Sequence, residues 1–285
     1  MRITELNLSK YNRVFTFGCS YTNYIWPTWA DIIGREVPVY ENWGKSGGGN
    51  SFIVNSVIEC HTTHKFQKGD LVLIMWSSLS REDRYINGSW LCVGGIGHQT
   101  VYSKDWVKKF GLDMRGYAIR DYANILLIQN LLENLECDYD QYSMHHLLCF
   151  DHSNVDRLFP DLEYRYNLYR RILIGINKSG TIIEEGKTIV ENQDVVELYK
   201  TIFPKIHLSI QEIVYDNFWK TRLIVNFGDT HPSPSEHLLY LDRLYPNNSI
   251  SQSTREYVEQ YDCIVRNTNS KLEENIHTPS KIVRL

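Results

Sequence analysis

Val14-Phe15-Thr16-Phe17-Gly18-Cys19-Ser20-Tyr21-Thr22 is the stretch on which the reading of the fold turns. The run from Val14 to Phe17 is β-branched and aromatic, which reads as a buried strand, and Gly18 closes it. Ser20 therefore stands on the turn leaving a strand. Far downstream, Leu223-Ile224-Val225-Asn226-Phe227 reads as another strand, and the loop after it carries Gly228-Asp229-Thr230-His231-Pro232. In an open α/β sheet, the loops at the carboxyl ends of the strands converge on the ligand. A hydroxyl, an imidazole and a carboxylate gathered there would be a nucleophile, its base and the acid that orients the base.

The chain between these segments alternates strand and helix patterns, the mark of a parallel α/β sheet. A helix is expected around Trp26 to Ile33 and a strand at Val37 to Tyr40. Gly47-Gly48-Gly49 leads into Asn50 as N-cap, then Ile53, Val54, Val57 and Ile58 at helical spacing, with an end at Lys68-Gly69-Asp70. Leu71-Val72-Leu73-Ile74-Met75-Trp76 is apolar throughout, as a central strand covered on both faces should be. From Asp83 to Arg115 the period is lost, which predicts an inserted loop or small hairpin over one end of the sheet. Tyr122, Ile125, Leu126, Leu127, Leu131, Leu132 and Leu135 predict a long amphipathic helix, and a strand is expected near Ser143 to Phe150. Ser233-Pro234-Ser235-Glu236 is a helix start, with a capping serine, a proline at the first position and a glutamate completing the capping box. A further helix is expected through Tyr257 to Val265. The domain reading is one domain over residues 1–266, with insertions near 83–115 and 151–208, and a C-terminal tail over 267–285.

The 285 residues, 42% hydrophobic and 22% charged, suffice for one sizeable core. A net charge of -4 and the lack of a basic run give no reason to expect nucleic acid as a partner. Met1 to Asn7 mixes charged and polar residues where a secretory signal needs an apolar stretch. The longest apolar run, Leu71 to Trp76, falls far short of the roughly 20 residues a bilayer span needs. The expectation is a cytoplasmic protein without a membrane span. Six cysteines with no C-x-x-C pair read as free thiols. The 19 Tyr and 7 Trp are read chiefly as core. Oligomeric state is not legible.

In its sequence blocks and their order the chain resembles the SGNH or GDSL hydrolase superfamily. The family's nucleophile block corresponds to Gly18-Cys19-Ser20, with Cys where Asp is common. Its second block, an Asn followed by a Gly whose N–H helps bind the oxyanion, corresponds to Asn42-Trp43-Gly44-Lys45-Ser46-Gly47. The third block, Gly-x-Asn-Asp at the end of a central strand, falls at Met75-Trp76-Ser77-Ser78-Leu79 and lacks the Asn. The last block reads Asp229-Thr230-His231-Pro232, shorter than the usual Asp-x-x-His but similar to the spacing in SGNH-like alginate O-acetylation enzymes.

The resemblance implies a three-layer α/β/α sandwich around a central, mostly parallel sheet of flavodoxin-like type. It implies a serine-dependent esterase or deacylase, with Ser20 as nucleophile, His231 as base and Asp229 as orienting acid. The substrate would be a small-molecule or carbohydrate acyl ester, an O-acetylated carbohydrate among the candidates. The oxyanion donors would be the N–H groups of Ser20 and Gly47, with Ser78, or more weakly Ser77 or Asn50, replacing the missing Asn. No metal or organic cofactor is implied. An O-acyltransferase would use the same triad, and a catalytically weakened binding protein would keep the fold.

The remaining candidates read as structural. His237 is a rival base placed in the first turns of a helix. His61 and His64 share a helical face, with no carboxylate or Cys evident to complete a metal set, and His145, His146, Asp151 and His152 form a denser group with the same shortfall. Arg81, Glu82, Asp83 and Arg84 read as a solvated charge cluster, with contact between Arg81 and a substrate anion as the rival reading.

Overall fold

In the computed structural model, residues 1–79, 81–96, 102–107, 109, 114–145, 147, 193–214 and 231–267 are described. The elements in chain order are β1 (Arg13–Phe17), α1 (Trp29–Gly34), β2 (Val39–Asn42), α2 (Asn50–His64), β3 (Asp70–Trp76), β4 (Arg81–Ile86) and β5 (Ser89–Gly95). They continue with α3 (Lys104–Trp106), α4 (Met114–Glu133), β6 (Asp138–Ser143), α5 (Gln193–Ile202), α6 (Ile210–Val214), α7 (Pro234–Leu244) and α8 (Gln252–Asn267). Four strands form a sheet in the order β2-β1-β3-β6, and every pairing in it is parallel. The chain runs from β1 outward to β2 and then crosses back to β3 on the other side of β1. The switch point of the sheet therefore lies between β1 and β3, where a ligand crevice is expected.

Alternation along the strands builds two cores. Phe15, Phe17, Val72, Ile74 and Trp76 point to one face, against Phe52, Ile53 and Val57 of α2, Tyr122 and Ile125 of α4, and Tyr199 of α5. Val14, Leu71, Leu73 and Met75 point to the other, against Trp29 and Ile32 of α1, Ile210 of α6, Tyr240 of α7 and Val258 of α8. The result is the expected three-layer α/β/α arrangement. All seven residues of β3 are buried, as its apolar reading requires.

Several local expectations shift. The helix after Gly47 starts at Asn50 with Gly49 in the cap position. Its cap comes from outside the helix, because the Asp83 carboxylate accepts from the N–H groups of Gly49 and Phe52, both at 2.9 Å. That helix ends at His64, where Lys65 turns left-handed at φ 51°, ahead of the expected stop at Lys68. The strand expected near Ser143 to Phe150 lies earlier, at Asp138–Ser143. Its sequence, Asp138-Tyr139-Asp140-Gln141-Tyr142-Ser143, hides a buried strand behind polar residues that find partners inside. The stretch that loses periodicity holds a hairpin, β4 with β5, turning through Asn87 (φ 52°) and Gly88 (φ 80°). Asn-Gly at a two-residue turn is the strongest short-range hairpin signal a sequence carries. The hairpin docks on the loop after β2, with the Gly94 N–H donating to the Gly47 carbonyl at 2.9 Å. The strand expected at Leu223 to Phe227, Asp229, and most of the expected 151–208 insertion lie outside the described residues, as does the tail beyond Asn267. No helix among the described residues is long and apolar enough to cross a membrane.

Candidate active site

The loops that follow all four parallel strands meet at one end of the sheet. Ser20 follows β1 on a turn closed by the N–H groups of Thr22 and Asn23, which both donate to the Cys19 carbonyl, at 2.9 and 3.0 Å. Gly18 is required there by space, since a Cβ would stand 2.0 Å from Thr22 Oγ1 and 3.0 Å from the Met75 carbonyl oxygen. The loop after β2 is laced to this turn. Asn42 Nδ2 donates to the Thr22 carbonyl (2.8 Å), Asn42 Oδ1 accepts from the Gly44 N–H (2.9 Å), and Asn23 Nδ2 donates to the Gly44 carbonyl (2.9 Å). Asn42, named above only as a landmark of the second block, is thus the residue that fastens the two loops together.

Ser20 is buried, and its Oγ lies 2.8 Å from Nε2 of His231. The imidazole is packed between two tyrosine rings, and the backbone after it is pinned by Trp26. Tyr24 stacks on it with ring centroids 3.9 Å apart, Tyr21 meets it edge-on at 5.5 Å, and Trp26 Nε1 donates to the Pro232 carbonyl at 2.9 Å. Immediately after it, Ser233 caps α7 in the expected capping box with Glu236. Because a cap residue is extended and the next residue is helical, this box sets where His231 leaves its loop. Asp229, the expected orienting acid, is outside the described residues. His237 is buried on α7 with no described partner for its Nδ1. Burial first, and then the charge of His231, push it down to about 3. An imidazolium that acidic would hold a transferred proton poorly, which fits a packed side chain better than a general base.

The expected oxyanion residues separate into two kinds. Neither the Ser20 nor the Gly47 N–H makes a hydrogen bond to a described residue. Gly47 adopts φ 78° beneath the hairpin, where a Cβ would stand 2.5 Å from the Cys92 carbonyl oxygen. The Asn50 amide, in contrast, is fully engaged. Its Oδ1 accepts from the Ser77 N–H at 2.9 Å, and its Nδ2 donates to the Ser77 carbonyl at 3.2 Å and to Asp121 at 3.0 Å. Asn50 braces the loop after β3. Ser78 is buried and its Oγ accepts from Arg81 Nε at 3.1 Å.

The charge cluster at the start of β4 is only partly solvated, with Arg84 exposed and Arg81 buried. Arg81 is only 7% exposed, with Nη1 donating to the Gly48 carbonyl at 3.0 Å and Nη2 lying 3.7 Å from Met144 Sδ. Met144 in turn touches Cys19 Sγ at 3.3 Å and Ser77 Oγ at 3.5 Å. Glu82 and Asp121 flank Arg120, which donates to them at 3.2 and 2.7 Å and to the Arg81 carbonyl at 2.8 Å. Burial raises Asp83 and Asp121 despite the donors around them. A run of four charged residues reads as surface in one dimension. Arg81 becomes interior here because the hairpin folds back onto the N-terminus of α2, while Arg84 stays exposed.

A metal set absent from the sequence reading does assemble around His64. Glu41 on β2 and Cys60 on α2 join it, with donor atoms all within 4.8 Å of one another. Glu41 Oε2 already accepts from Trp43 Nε1 at 3.0 Å and lies 3.1 Å from His64 Nε2, while burial holds the Cys60 thiol above its usual range. A metal there would have to displace those hydrogen bonds and a thiol proton. His61 points elsewhere, its Nδ1 accepting from the Phe66 N–H at 3.2 Å. Of the other histidine group, only His145 is described, 5.9 Å from Tyr21 between ring centroids. The five described cysteines are free thiols.

No protein-family model and no curated protein matches the chain. Among solved structures it is similar to a GDSL-like lipase from Bacteroides thetaiotaomicron VPI-5482, with 12% identity and a TM-score of 0.40, over 88% of this chain and 90% of that one. It is also similar to a member of the lipolytic protein G-D-S-L family from Veillonella parvula DSM 2008, with 12% identity and a TM-score of 0.38, over 80% of this chain and 93% of that one.

Proposed function

We propose that this chain is a serine esterase or deacylase acting on a small acyl ester, with Ser20, His231 and Asp229 as its triad. The observation that carries the reading is the 2.8 Å contact between Ser20 Oγ and His231 Nε2, made by residues 211 positions apart at the carboxyl end of a parallel sheet. Hydrogen-bond reach between nucleophile and base is the first geometric demand of such chemistry.

In the proposed reaction Ser20 Oγ attacks the ester carbonyl carbon and passes its proton to His231 Nε2, while the carbonyl electron pair moves to oxygen. The tetrahedral oxyanion accepts from the N–H groups of Ser20 and Gly47, neither of which is bonded to a described residue. Its collapse expels the alcohol, which leaves with the proton from His231. Water, deprotonated by the same imidazole, then releases the acid and restores Ser20. Asp229 keeps the His231 tautomer in register throughout. An O-acetylated carbohydrate is the substrate class favoured by the family resemblance, and the half-buried Tyr24 beside His231 suits a sugar.

The test is turnover of p-nitrophenyl acetate and butyrate by wild type, Ser20→Ala, His231→Ala and Asp229→Asn, with folding followed by circular dichroism. The reading requires activity in wild type and its loss in the folded variants. Equal background rates in all four proteins would remove it.

A further inference from the structure

A fully buried cation needs an anion or a complete set of acceptors, because leaving charge without compensation in a low-dielectric interior is costly. Arg81 has neither. Among the described residues no carboxylate lies within ion-pair distance of it, and its hydrogen bonds go to the Ser78 hydroxyl, the Gly48 carbonyl and the Met144 thioether. A guanidinium has five N–H donors, and a thioether is a weak acceptor. Other arginines in the molecule are treated differently: Arg13 grips Asp70 with two nitrogens, at 2.8 and 2.6 Å, and Arg120 holds Asp121 and Glu82. The carboxylate near Arg81 in sequence, Asp83, is committed to capping α2.

The position is as telling as the missing partner. The residues that Arg81 touches follow three different strands: Gly48 after β2, Ser78 after β3 and Met144 after β6, with Met144 against Cys19, the neighbour of the nucleophile. Ser78 is where the third sequence block loses its amide donor, and Asn50 is too engaged to supply one. We infer that Arg81 supplies that missing donor, its guanidinium N–H groups donating to the ester carbonyl oxygen as negative charge develops there. The role rests on the esterase reading above. Arg81 complements the charged transition state more strongly than the neutral ester, so it acts on kcat more than on KM.

The experiment compares wild type with Arg81→Ala, Arg81→Gln and Arg81→Lys on p-nitrophenyl acetate, and measures the rate at which a fluorophosphonate labels Ser20. Folding is checked by circular dichroism. The expected result is a loss of about 10²–10³ in kcat for Arg81→Ala and Arg81→Gln with KM little changed, and a parallel slowing of Ser20 labelling. Arg81→Lys, which keeps the charge, should retain more activity, and free guanidinium below its denaturing range should restore part of the kcat of Arg81→Ala. Folded Arg81 variants with kcat reduced less than about tenfold would overturn the assignment while leaving the triad standing. A change confined to KM would also overturn it, since Arg81 would then bind a fixed anion of the substrate. Should wild type show neither turnover nor Ser20 labelling, the esterase reading itself fails and this role goes with it.

Discussion

Asp140 and Arg81 are both charged, both buried and both lodged at the central sheet, yet their surroundings differ in kind. Asp140, on β6, is met from every side: Arg2 Nε donates at 3.1 Å, His207 Nε2 lies at 2.7 Å, the Tyr245 hydroxyl donates to it, and so does the Gln141 N–H. Those groups come from the N-terminus, from the segment before α6 and from the end of α7, so one carboxylate ties distant parts of the chain together. Arg81 instead has no described carboxylate within ion-pair distance, and elsewhere at that end of the sheet the Ser20 and Gly47 N–H groups and His237 Nδ1 have no described partner. Asp140 is saturated, although Gln141 Nε2 beside it lacks a described partner, whereas Arg81 has no such carboxylate, and on the proposed reading this more open cluster is the one that receives the substrate.

This contrast can be broken by mutation, with the largest effect at the open cluster. Ser20→Ala should lower ester turnover by about 10⁴-fold or more while leaving thermal stability intact, as removal of a triad nucleophile does. Initial rates paired with a melting curve would check it, and a folded Ser20→Ala variant of near wild-type activity would erase the distinction. At the closed cluster the roles reverse. Asp140→Ala should cost about 3–5 kcal/mol of stability, because it strands Arg2 and buried polar partners, yet turnover per folded molecule should survive. Urea unfolding alongside single-point assays would separate the two quantities.

His237 sharpens the comparison through pH. Its native value of about 3 lies below the ordinary 6.5, so the unfolded chain binds a proton that the native state refuses. Stability from this residue is therefore complete above about pH 6.5 and is lost as pH falls toward 3. The loss at pH 5 is about 2 kcal/mol relative to pH 7. Replacing His237 with Phe should flatten the curve of unfolding free energy over that window, and an unchanged slope would contradict the assignment. The smallest effect belongs to the cap. Ser233→Ala should cost about 1 kcal/mol, read from denaturant midpoints, with a modest fall in turnover because His231 leaves its loop at that cap.

How much of this was legible beforehand follows from the same physics. β3 could be read outright because the six consecutive apolar residues Leu71 to Trp76 announce a buried strand, and the Ser233 cap because its chemistry is local. β6 was displaced in the reading because Asp140 and Gln141 become acceptable inside only through partners far away in sequence, such as Arg2 and Trp76. The cap on α2 was missed for a related reason, since Asp83 reaches it across 31 residues. Arg81 looked like surface because burial of a charge is a tertiary event. Asn87-Gly88 marks the tip of the small hairpin that the loss of periodicity already allows, but a turn signal alone does not bring Arg81 inside. Ser20 and His231 were legible because each follows a strand-like run, and loops that follow strands in a parallel sheet have few other places to meet.

The most direct test of the central claim is intact-protein and peptide mass spectrometry after treatment with a fluorophosphonate, in wild type and in folded His231→Ala. The account predicts a single covalent adduct on Ser20 in wild type and labelling reduced to background in the variant. An adduct on any other residue, or none in wild type, would contradict it.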